Sequence, residues 1–388
     1  MQTEKPSAVC WLFCTVIDNF GDIGISWRLA QILSREHGIQ VHLWLDNEEA
    51  LRILCPDLPP LPCRYRGIYL RHWQASTDAE GIDSAPIPDW VIETFACDLP
   101  ESVLNIMRQH RPLWLNWEYL SAEHWAEAMH AKPSPQTDSQ QKYFWLMGFT
   151  ERSGGLLREH NYCHNIDTAN LRKTLMLPQK STPEWLLFGY ESPIWARWLQ
   201  TWQQNGQPLT LFLAGNQITE SLRHAGAIPK YALQNDGDVF QTGIIKLIRL
   251  PFLPQDNFDS LLHLCDGVVI RGEDSFVRAQ YAAKPFFWFI YPQSEDAHIE
   301  KLHAFWQKAT ATWPQTLQQA HQLLSDELNG ALDLSAAERL SAWQSLMQQQ
   351  ALWCKHAELW RASLFAQNSA TEKLVAFAYQ HGKLPNHP

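Results

Sequence analysis

Apolar runs alternate with amphipathic segments along the chain, and the first is the largely apolar stretch from Val9 to Val16. Such a run predicts a strand buried on both faces of a parallel sheet. A segment with helical periodicity follows and ends at Gly38, and the chain then alternates from Ile39 to Leu45 like a second strand. The apolar positions on one face of this helix are Ile25, Leu29, Ile32 and Leu33. This β-α-β pattern predicts parallel strands joined by a right-handed crossover.

The same alternation recurs along the rest of the chain. Further strands are predicted at Trp90–Phe95, Leu113–Trp117, Phe144–Met147, Trp185–Phe188, Leu209–Ala214, Ile244–Leu253, Gly267–Arg271 and Phe286–Tyr291. Helices are predicted near Phe258–Cys265, Ser275–Ala283 and Asp296–Gln307, and from Trp313 onward. The polar stretch from Lys132 to Gln141 is expected to be a surface loop.

These elements predict an α/β protein with two doubly wound, Rossmann-like domains and a helical tail. We expect an N-terminal domain over residues 1–175 and a second domain over 176–360. The tail, 361–388, is expected to be helical and to pack back on the N-terminal domain. The cleft between two such domains is the default position of a ligand site.

Composition narrows the class of protein. The 388 residues are 45% hydrophobic and 19% charged, and 31 Lys and Arg against 41 Asp and Glu give a net charge of −10. This acidic balance argues against a nucleic acid or an anionic membrane as a partner. The start of the chain lacks the basic region of a secretory signal, and no apolar run approaches the roughly 20 residues of a membrane span. We therefore expect a cytoplasmic protein.

The cysteines and histidines indicate neither a metal site nor a disulfide framework. The eight Cys include no C-x-x-C pair, so we expect buried, reduced thiols. The acidic pair in Asp236-Gly237-Asp238 resembles a metal-binding D-x-D motif, but its neighbours are typical of a turn. No metal and no cofactor are expected.

The turn after the first strand carries the first candidate chemistry. Asp18 and Asp22 flank Asn19-Phe20-Gly21 at a strand end, where ligands of open α/β sheets bind, and a second glycine follows at Gly24. One of the two acids could instead be only a helix cap. A second alternative is a dinucleotide site of an NAD-dependent dehydrogenase, with Asp46 on a ribose. The G-x-G-x-x-G pattern is absent, however, and two carboxylates would repel a pyrophosphate.

The second candidate is the strand, glycine turn and helix start at Val268–Arg278. Ser275 and the adjoining N–H groups could hold a diphosphate that Arg271 neutralises. Glu273 and Asp274 could order sugar hydroxyls or fix Arg271. Alternatively, Asp274 or Ser275 caps the helix, and Arg271 pairs with Glu273 on the surface.

A third segment, from Leu250 to Phe258, leaves another strand end and is stiffened by two prolines. Phe252 or Phe258 could stack on a base whose edge Gln255 reads. Core packing is the alternative for each of the two rings.

Together, these motifs resemble one family, the bacterial protein-arginine rhamnosyltransferases that modify elongation factor P (the EarP family). The resemblance spans both domains. The stretches that carry it are Val16–Gly24, Glu118–Glu123, Gly148–Thr150, Gly154–Glu159, Arg271–Phe276 and Phe286–Gln293.

The resemblance implies a GT-B fold, in which two Rossmann-like domains face a cleft, and an inverting transfer without a catalytic metal. The donor would be dTDP-β-L-rhamnose, held mainly by the C-terminal domain. The acceptor would be an arginine guanidinium of elongation factor P, approached from the N-terminal domain. The modification would activate that factor for rescue of ribosomes stalled at polyproline.

The resemblance also assigns roles to residues of this chain. Phe252 would stack on thymine with Gln255 holding the nucleoside, and Asp22 would be the main carboxylate beside the acceptor, assisted by Asp18 and Asn19. The diphosphate would lie among Tyr190, Arg271, Asp274 and Ser275. The catalytic set is Asp22, Asp18 and Glu273, and the donor-binding set is Asn19, Phe20, Gly21, Tyr190, Phe252, Leu253, Gln255, Phe258, Arg271, Gly272, Asp274 and Ser275.

A guanidinium has a pKa above about 12 and an ordinary Asp one near 4, so Asp22 cannot deprotonate the acceptor in a separate step. We expect Asp22 to accept the proton as the C–N bond forms, with Asp18 orienting the guanidinium. Two alternatives remain at this point: a GT-B enzyme with another nucleotide sugar or a small-molecule acceptor, and a non-catalytic adaptor that binds elongation factor P.

Overall fold

The computed structural model describes residues 8–17, 21–74, 78–136 and 139–384, which form two compact units. The first unit contains the described residues of Met1–Tyr162 and Leu364–Pro388, and the second is Cys163–Ser363. Each unit has its own mainly parallel sheet with helices, so the α/β prediction is confirmed.

The first unit begins with the predicted β-α-β pattern. Its elements are β1 (Val9–Cys14), α1 (Gly21–His37), β2 (Gln40–Leu45), α2 (Glu48–Leu54), β3 (Cys63–Tyr65), β4 (Ile68–Gln74), β5 (Asp78–Ala79), β6 (Trp90–Thr94), α3 (Glu101–His110), β7 (Leu113–Glu118), α4 (His124–Met129), β8 (Pro133–Pro135) and β9 (Gln141–Leu146). The predicted helical face of α1 is buried, and Gly38 ends the helix with a φ of +64°, which favours glycine.

The strand order of the first sheet is β3-β4-β2-β1-β6-β7-β9-β8, with β5 paired to β4. Strand β1 is central and parallel to both neighbours, and Leu12 lies opposite Leu43 of β2 and Ile92 of β6. All three side chains are fully buried, as a strand covered on both faces requires. The carboxyl ends of β1, β2, β6 and β7 therefore meet at one edge of the sheet.

The second unit repeats the strand–helix alternation. Its elements are α5 (Thr168–Thr174), β10 (Glu184–Leu187), α6 (Ile194–Asn205), β11 (Leu209–Ala214), α7 (Gln217–His224), β12 (Val239–Thr242), β13 (Ile245–Leu250), α8 (Gln255–Leu264), β14 (Gly267–Arg271), α9 (Asp274–Ala282), β15 (Phe286–Phe289), α10 (Ala297–Ala309), α11 (Gln315–Leu328), α12 (Ala336–Gln348) and α13 (Gln350–Phe365). The strand order is β12-β13-β11-β10-β14-β15, parallel except for the β12–β13 pair.

Indole rings fill much of this second core. Trp185 of β10 packs edge-on against Trp343 of α12 at 5.1 Å between ring centroids, and Trp198 packs against Trp202 at 5.7 Å. Edge-to-face contacts of this kind add to the gain from apolar burial.

The last helix, α14 (Ala370–Gln380), lies with the first unit. The Ala370 N–H donates to the Leu156 carbonyl at 2.9 Å. The Lys373 ammonium donates to the carbonyls of Thr150 and Ser153 at 3.1 and 3.0 Å. The Gly148–Thr150 and Gly154–Glu159 stretches thus contact the C-terminal segment.

The two units meet after Tyr162 and after Ser363, whereas the sequence predicted domain boundaries after residues 175 and 360. Helix α5 lies with the second unit because the Asp167 N–H donates to Ser260 Oγ at 3.0 Å and Arg172 pairs with Glu184. At the other end, the change of unit falls within α13, between Ser363 and Leu364.

Two expectations need correction. The stretch from Lys132 to Gln141 is more than a loop, because it contains β8, which pairs antiparallel with β9. Among the thiols, Cys163 is exposed, and Cys63 and Cys354 are half-buried. The remaining thiols are buried and reduced, as predicted: Cys10, Cys14, Cys55, Cys97 and Cys265.

Arg158 attaches the C-terminal segment to the first unit. Its guanidinium donates to the Leu364 and Gln367 carbonyls, each at 3.0 Å, and lies 4.7 Å from the Phe365 ring centroid. We expect Arg158→Ala to lower the free energy of unfolding by roughly 2–3 kcal/mol, because it leaves two carbonyls without a charged donor. Urea unfolding measures the change.

The control is Arg197→Ala. That side chain is 46% exposed and pairs with Asp333, which is itself 76% exposed, so its loss should change stability by less than about 0.5 kcal/mol. Equal effects of the two substitutions would contradict the role assigned to Arg158.

Candidate functional site

Asp22, in the first turn of α1, is a buried carboxylate at the carboxyl edge of the first sheet. Its side chain is 1% exposed. One oxygen, Oδ2, accepts a hydrogen bond from the Ile17 N–H at 2.8 Å, and Oδ1 accepts one from the Tyr119 hydroxyl at 3.2 Å. Asp22 thus lies inside α1, as its second residue, and its carboxylate reaches back to the chain that precedes the helix.

Hydrogen bonds fix the backbone of Asp22 as well. The Ser26 hydroxyl donates to the Asp22 carbonyl at 2.9 Å and lies 3.1 Å from Thr94 Oγ1. Thr94, the last residue of β6, in turn donates to the Phe13 carbonyl at 2.9 Å. The first turn of α1 is thereby attached to β1 and β6 through buried hydroxyls.

Tyr119 follows β7 and stacks on Phe95, with 4.2 Å between ring centroids and 19° between planes. Phe95 and Ala96 have φ values of +58° and +55°, a strained backbone for residues other than glycine. The Ala96 N–H donates to Asn116 Oδ1 at 3.0 Å, which holds this turn. Tyr119 is 38% exposed, and its hydroxyl lies beside the buried Asp22 carboxylate.

The other predicted residues of this turn are less fully described. Asp18, Asn19 and Phe20 lie outside the described residues, and Gly21 is the first residue of α1. Asp46, the ribose ligand of the dehydrogenase alternative, accepts from the Val16 N–H at 2.9 Å. Burial, together with the nearby Asp22 charge, raises the pKa of the Asp46 carboxyl.

In the second unit, Arg271 ends β14. Its guanidinium carbon lies 4.7 Å from the Phe188 ring centroid and 4.8 Å from that of Tyr190. Tyr190 also packs edge-on against Tyr291 at 5.5 Å. These rings hold a cation at the carboxyl end of a parallel strand.

The glycine turn after β14 leads directly into α9. Gly272 has a φ of +68°, and its carbonyl accepts from the Trp288 indole at 3.2 Å. Glu273 pairs with Lys301 of α10 at 2.6 Å. Among the described residues, its side chain makes no capping hydrogen bond to α9. The alternative in which Asp274 or Ser275 caps α9 is wrong, because both lie inside the helix.

Residues of the third segment lie beside this turn. The Gln255 amide donates to Asp274 Oδ2 at 3.1 Å, which joins the start of α8 to the start of α9. Phe252 is 46% exposed and Leu253 is half-buried. Phe258 packs against Phe188 at 5.7 Å, so this ring is at least partly a packing residue.

The expected turn at Asp236–Asp238 is confirmed. Gly237 has a φ of +87°, the Asn235 N–H donates to Asp238 Oδ2 at 2.8 Å, and Asp236 pairs with Arg249 at 3.1 Å. Within the described ranges, no group of three or more His, Cys, Asp or Glu side chains could hold a metal ion. No helix in those ranges has the length and apolar character of a membrane span.

Sequence reasoning missed three residues of these groups: Tyr119, Phe188 and Lys301. Tyr119 stood in a stretch already associated with the family, but no role was assigned to it. Phe188 ended a predicted strand. Lys301 lies 28 positions after its partner Glu273, and nothing in the local sequence connects the two.

The chain matches the family model described as elongation factor P (EF-P) rhamnosyltransferase EarP over residues 10–379. The chain belongs to the EarP family. A protein-arginine rhamnosyltransferase of Neisseria meningitidis is 60% identical over 383 residues, which cover 98% of this chain and 100% of that protein. One from Pseudomonas putida is 39% identical, with 94% and 97% covered. This EarP-family chain is thus a protein-arginine rhamnosyltransferase, which confirms the predicted enzyme class and decides against the dehydrogenase and adaptor alternatives.

Solved structures identify the fold. One, described as the structural basis for EarP-mediated arginine glycosylation of translation elongation factor EF-P, has a TM-score of 0.66 and 26% identity, covering 96% of this chain and 99% of that one. MurG of Acinetobacter baumannii has a TM-score of 0.51 at 13% identity and covers 97% and 100%. The fold is GT-B, as the sequence analysis predicted.

Proposed function

We propose that this EarP-family protein transfers rhamnose from dTDP-β-L-rhamnose to an arginine of elongation factor P, with inversion at the anomeric carbon and without a catalytic metal. The modification would activate that factor for rescue of ribosomes stalled at polyproline. The observation that carries the proposal is the buried Asp22 carboxylate, which two hydrogen bonds hold in place, one of them from the hydroxyl of the partly exposed Tyr119. A carboxylate next to an aromatic face suits a guanidinium.

The acceptor would bind to the first unit. Its guanidinium would donate to Asp22 and stack on the Tyr119 ring, which Phe95 supports from behind. Stacking on Phe95 and the hydrogen bond to Asp22 orient the Tyr119 ring before the acceptor binds, so little ordering is required on binding. Asp18 and Asn19 are assigned to the same acceptor group by family resemblance alone.

The donor would bind to the second unit. The exposed Phe252 ring suits stacking on thymine, and Gln255 is oriented by its hydrogen bond to Asp274. Arg271, supported by Phe188 and Tyr190, would neutralise the diphosphate together with the N–H groups at the start of α9. Ser275, in the first turn of that helix, would add a hydroxyl donor.

The reaction requires no redox step or co-reactant. A guanidinium nitrogen forms a bond to the anomeric carbon as the bond from that carbon to the diphosphate oxygen breaks. The electron pair leaves with dTDP, which Arg271 stabilises, and the proton from nitrogen passes to the Asp22 carboxylate. The pKa of the acceptor guanidinium exceeds that of a carboxylic acid by about eight pH units. Proton transfer must therefore accompany C–N bond formation.

Intact-mass analysis tests the function directly. The purified chain, elongation factor P and dTDP-β-L-rhamnose should yield a factor heavier by one deoxyhexosyl unit, and EDTA should not prevent the gain. Replacing the acceptor arginine with Lys should abolish it. No gain despite dTDP binding would contradict the acceptor assignment, and tighter binding of UDP or GDP than of dTDP would contradict the donor assignment.

Asp22→Asn should lower kcat roughly 100- to 10,000-fold, because the amide keeps an acceptor oxygen but cannot take up the proton. The affinity for dTDP should stay near that of the parent chain, since dTDP is assigned to the other unit. Steady-state kinetics and calorimetry measure the two quantities.

Asp46→Asn is the matched control for this substitution. It makes the same change at the same sheet edge and retains an oxygen for the Val16 N–H, so turnover should remain near that of the parent chain. Near-normal turnover of Asp22→Asn would refute the assignment of Asp22 as the base.

A further inference from the structure

The pair formed by Glu273 and Lys301 joins the glycine turn after β14 to α10. The Lys301 ammonium donates to Glu273 Oε1 at 2.6 Å. Each side chain is only 16% exposed, so the ion pair is largely withdrawn from solvent. A pair so placed is screened less than a surface pair, and loss of one partner leaves a charge in a poorly solvated position.

The backbone on both sides of this pair is held by the same aromatic cluster. One turn after Lys301, Phe305 packs edge-on against Phe276 of α9 at 4.6 Å. Phe276 stacks on Trp288 at 3.8 Å, and the Trp288 indole donates to the Gly272 carbonyl next to Glu273. Lys301 therefore lies on a helix, α10, that cannot shift relative to Glu273 without disturbing this cluster.

Building on the donor site of the proposed function, we propose that Lys301 is a positioning residue, which fixes the Glu273 carboxylate for its contact with the sugar of the donor. Glu273 lies between Arg271 and Asp274, beside the expected diphosphate. A carboxylate there is repelled by an anionic donor. Lys301 holds one of its oxygens and offsets its charge.

This role differs from that of Arg271. Arg271 lies over the Phe188 and Tyr190 rings and is assigned to the diphosphate, whereas the Lys301 ammonium contacts Glu273 itself. Loss of Lys301 should therefore impair the chemical step more than nucleotide binding. A misplacement of about 1 Å at a reacting centre costs on the order of 100-fold in rate.

The test compares Lys301→Met, Lys301→Arg and the parent chain in rhamnosylation of elongation factor P. Lys301→Met keeps an unbranched side chain only one heavy atom shorter but removes the charge, so kcat should fall roughly 10- to 100-fold. The KM for dTDP-β-L-rhamnose and the Kd for dTDP should change little. Lys301→Arg should recover most of the lost kcat, because it restores a charged donor to Glu273.

The matched control is Lys308→Met, the same substitution two turns later on α10, which should leave kcat unchanged. A double-mutant cycle with Glu273→Gln separates positioning from structural damage. If Lys301 acts through Glu273, Lys301→Met should cost little further kcat in the Glu273→Gln background. Thermal melts of all variants identify any that unfold.

Each outcome is decisive. An active parent chain with a folded Lys301→Met variant of unchanged kcat would overturn the inference, and so would fully additive losses in the cycle. A parent chain that transfers no rhamnose would refute the proposed function, and with it this role of Lys301. Loss of kcat that Lys301→Arg restores, without further loss in the Glu273→Gln background, supports both.

Discussion

Parallel strands that end at one edge of a sheet leave backbone N–H groups that the next strand cannot pair. This constraint shapes the residues around Asp22 in the first unit. Side-chain oxygens meet it at the carboxyl edge of the first sheet: Asp46 accepts from Val16, Asp22 from Ile17, and Asn116 from Ala96. The requirement that places Asp22 under the Ile17 N–H thus also fixes a carboxylate in a buried, oriented position. A group held in this way needs little reorganisation when a substrate binds.

Aromatic rings provide the second means of orientation. In the first unit, Phe95 supports Tyr119, whose hydroxyl reaches Asp22. In the second, Phe188 and Tyr190 support Arg271. Aromatic residues, which make up 12% of the chain, therefore orient site residues as well as filling the cores. Flat, stiff rings with few rotatable bonds hold charged groups in place at a small cost in side-chain entropy.

Much of the architecture could be predicted, because buried parallel strands leave long apolar runs: Leu209–Ala214 and Gly267–Arg271 were predicted with their observed bounds. Short edge strands such as Pro133–Pro135 were missed, since they bury little and have weak periodicity. In the site, residues at strand ends were predictable from local motifs. The contact of Lys301 with Glu273 was not, because it arises from the packing of α10 against α9.

Under the proposed function, acceptor and donor bind to different units, each at the carboxyl edge of its own sheet. Hydrogen–deuterium exchange of the full chain, with dTDP alone and with elongation factor P alone, tests it most directly. We expect dTDP to slow exchange at Arg271–Ser275 and at residues 250–258, and elongation factor P to slow exchange at residues 94–96 and 117–121. Protection by dTDP confined to the first unit, or unchanged exchange at Arg271–Ser275, would contradict it.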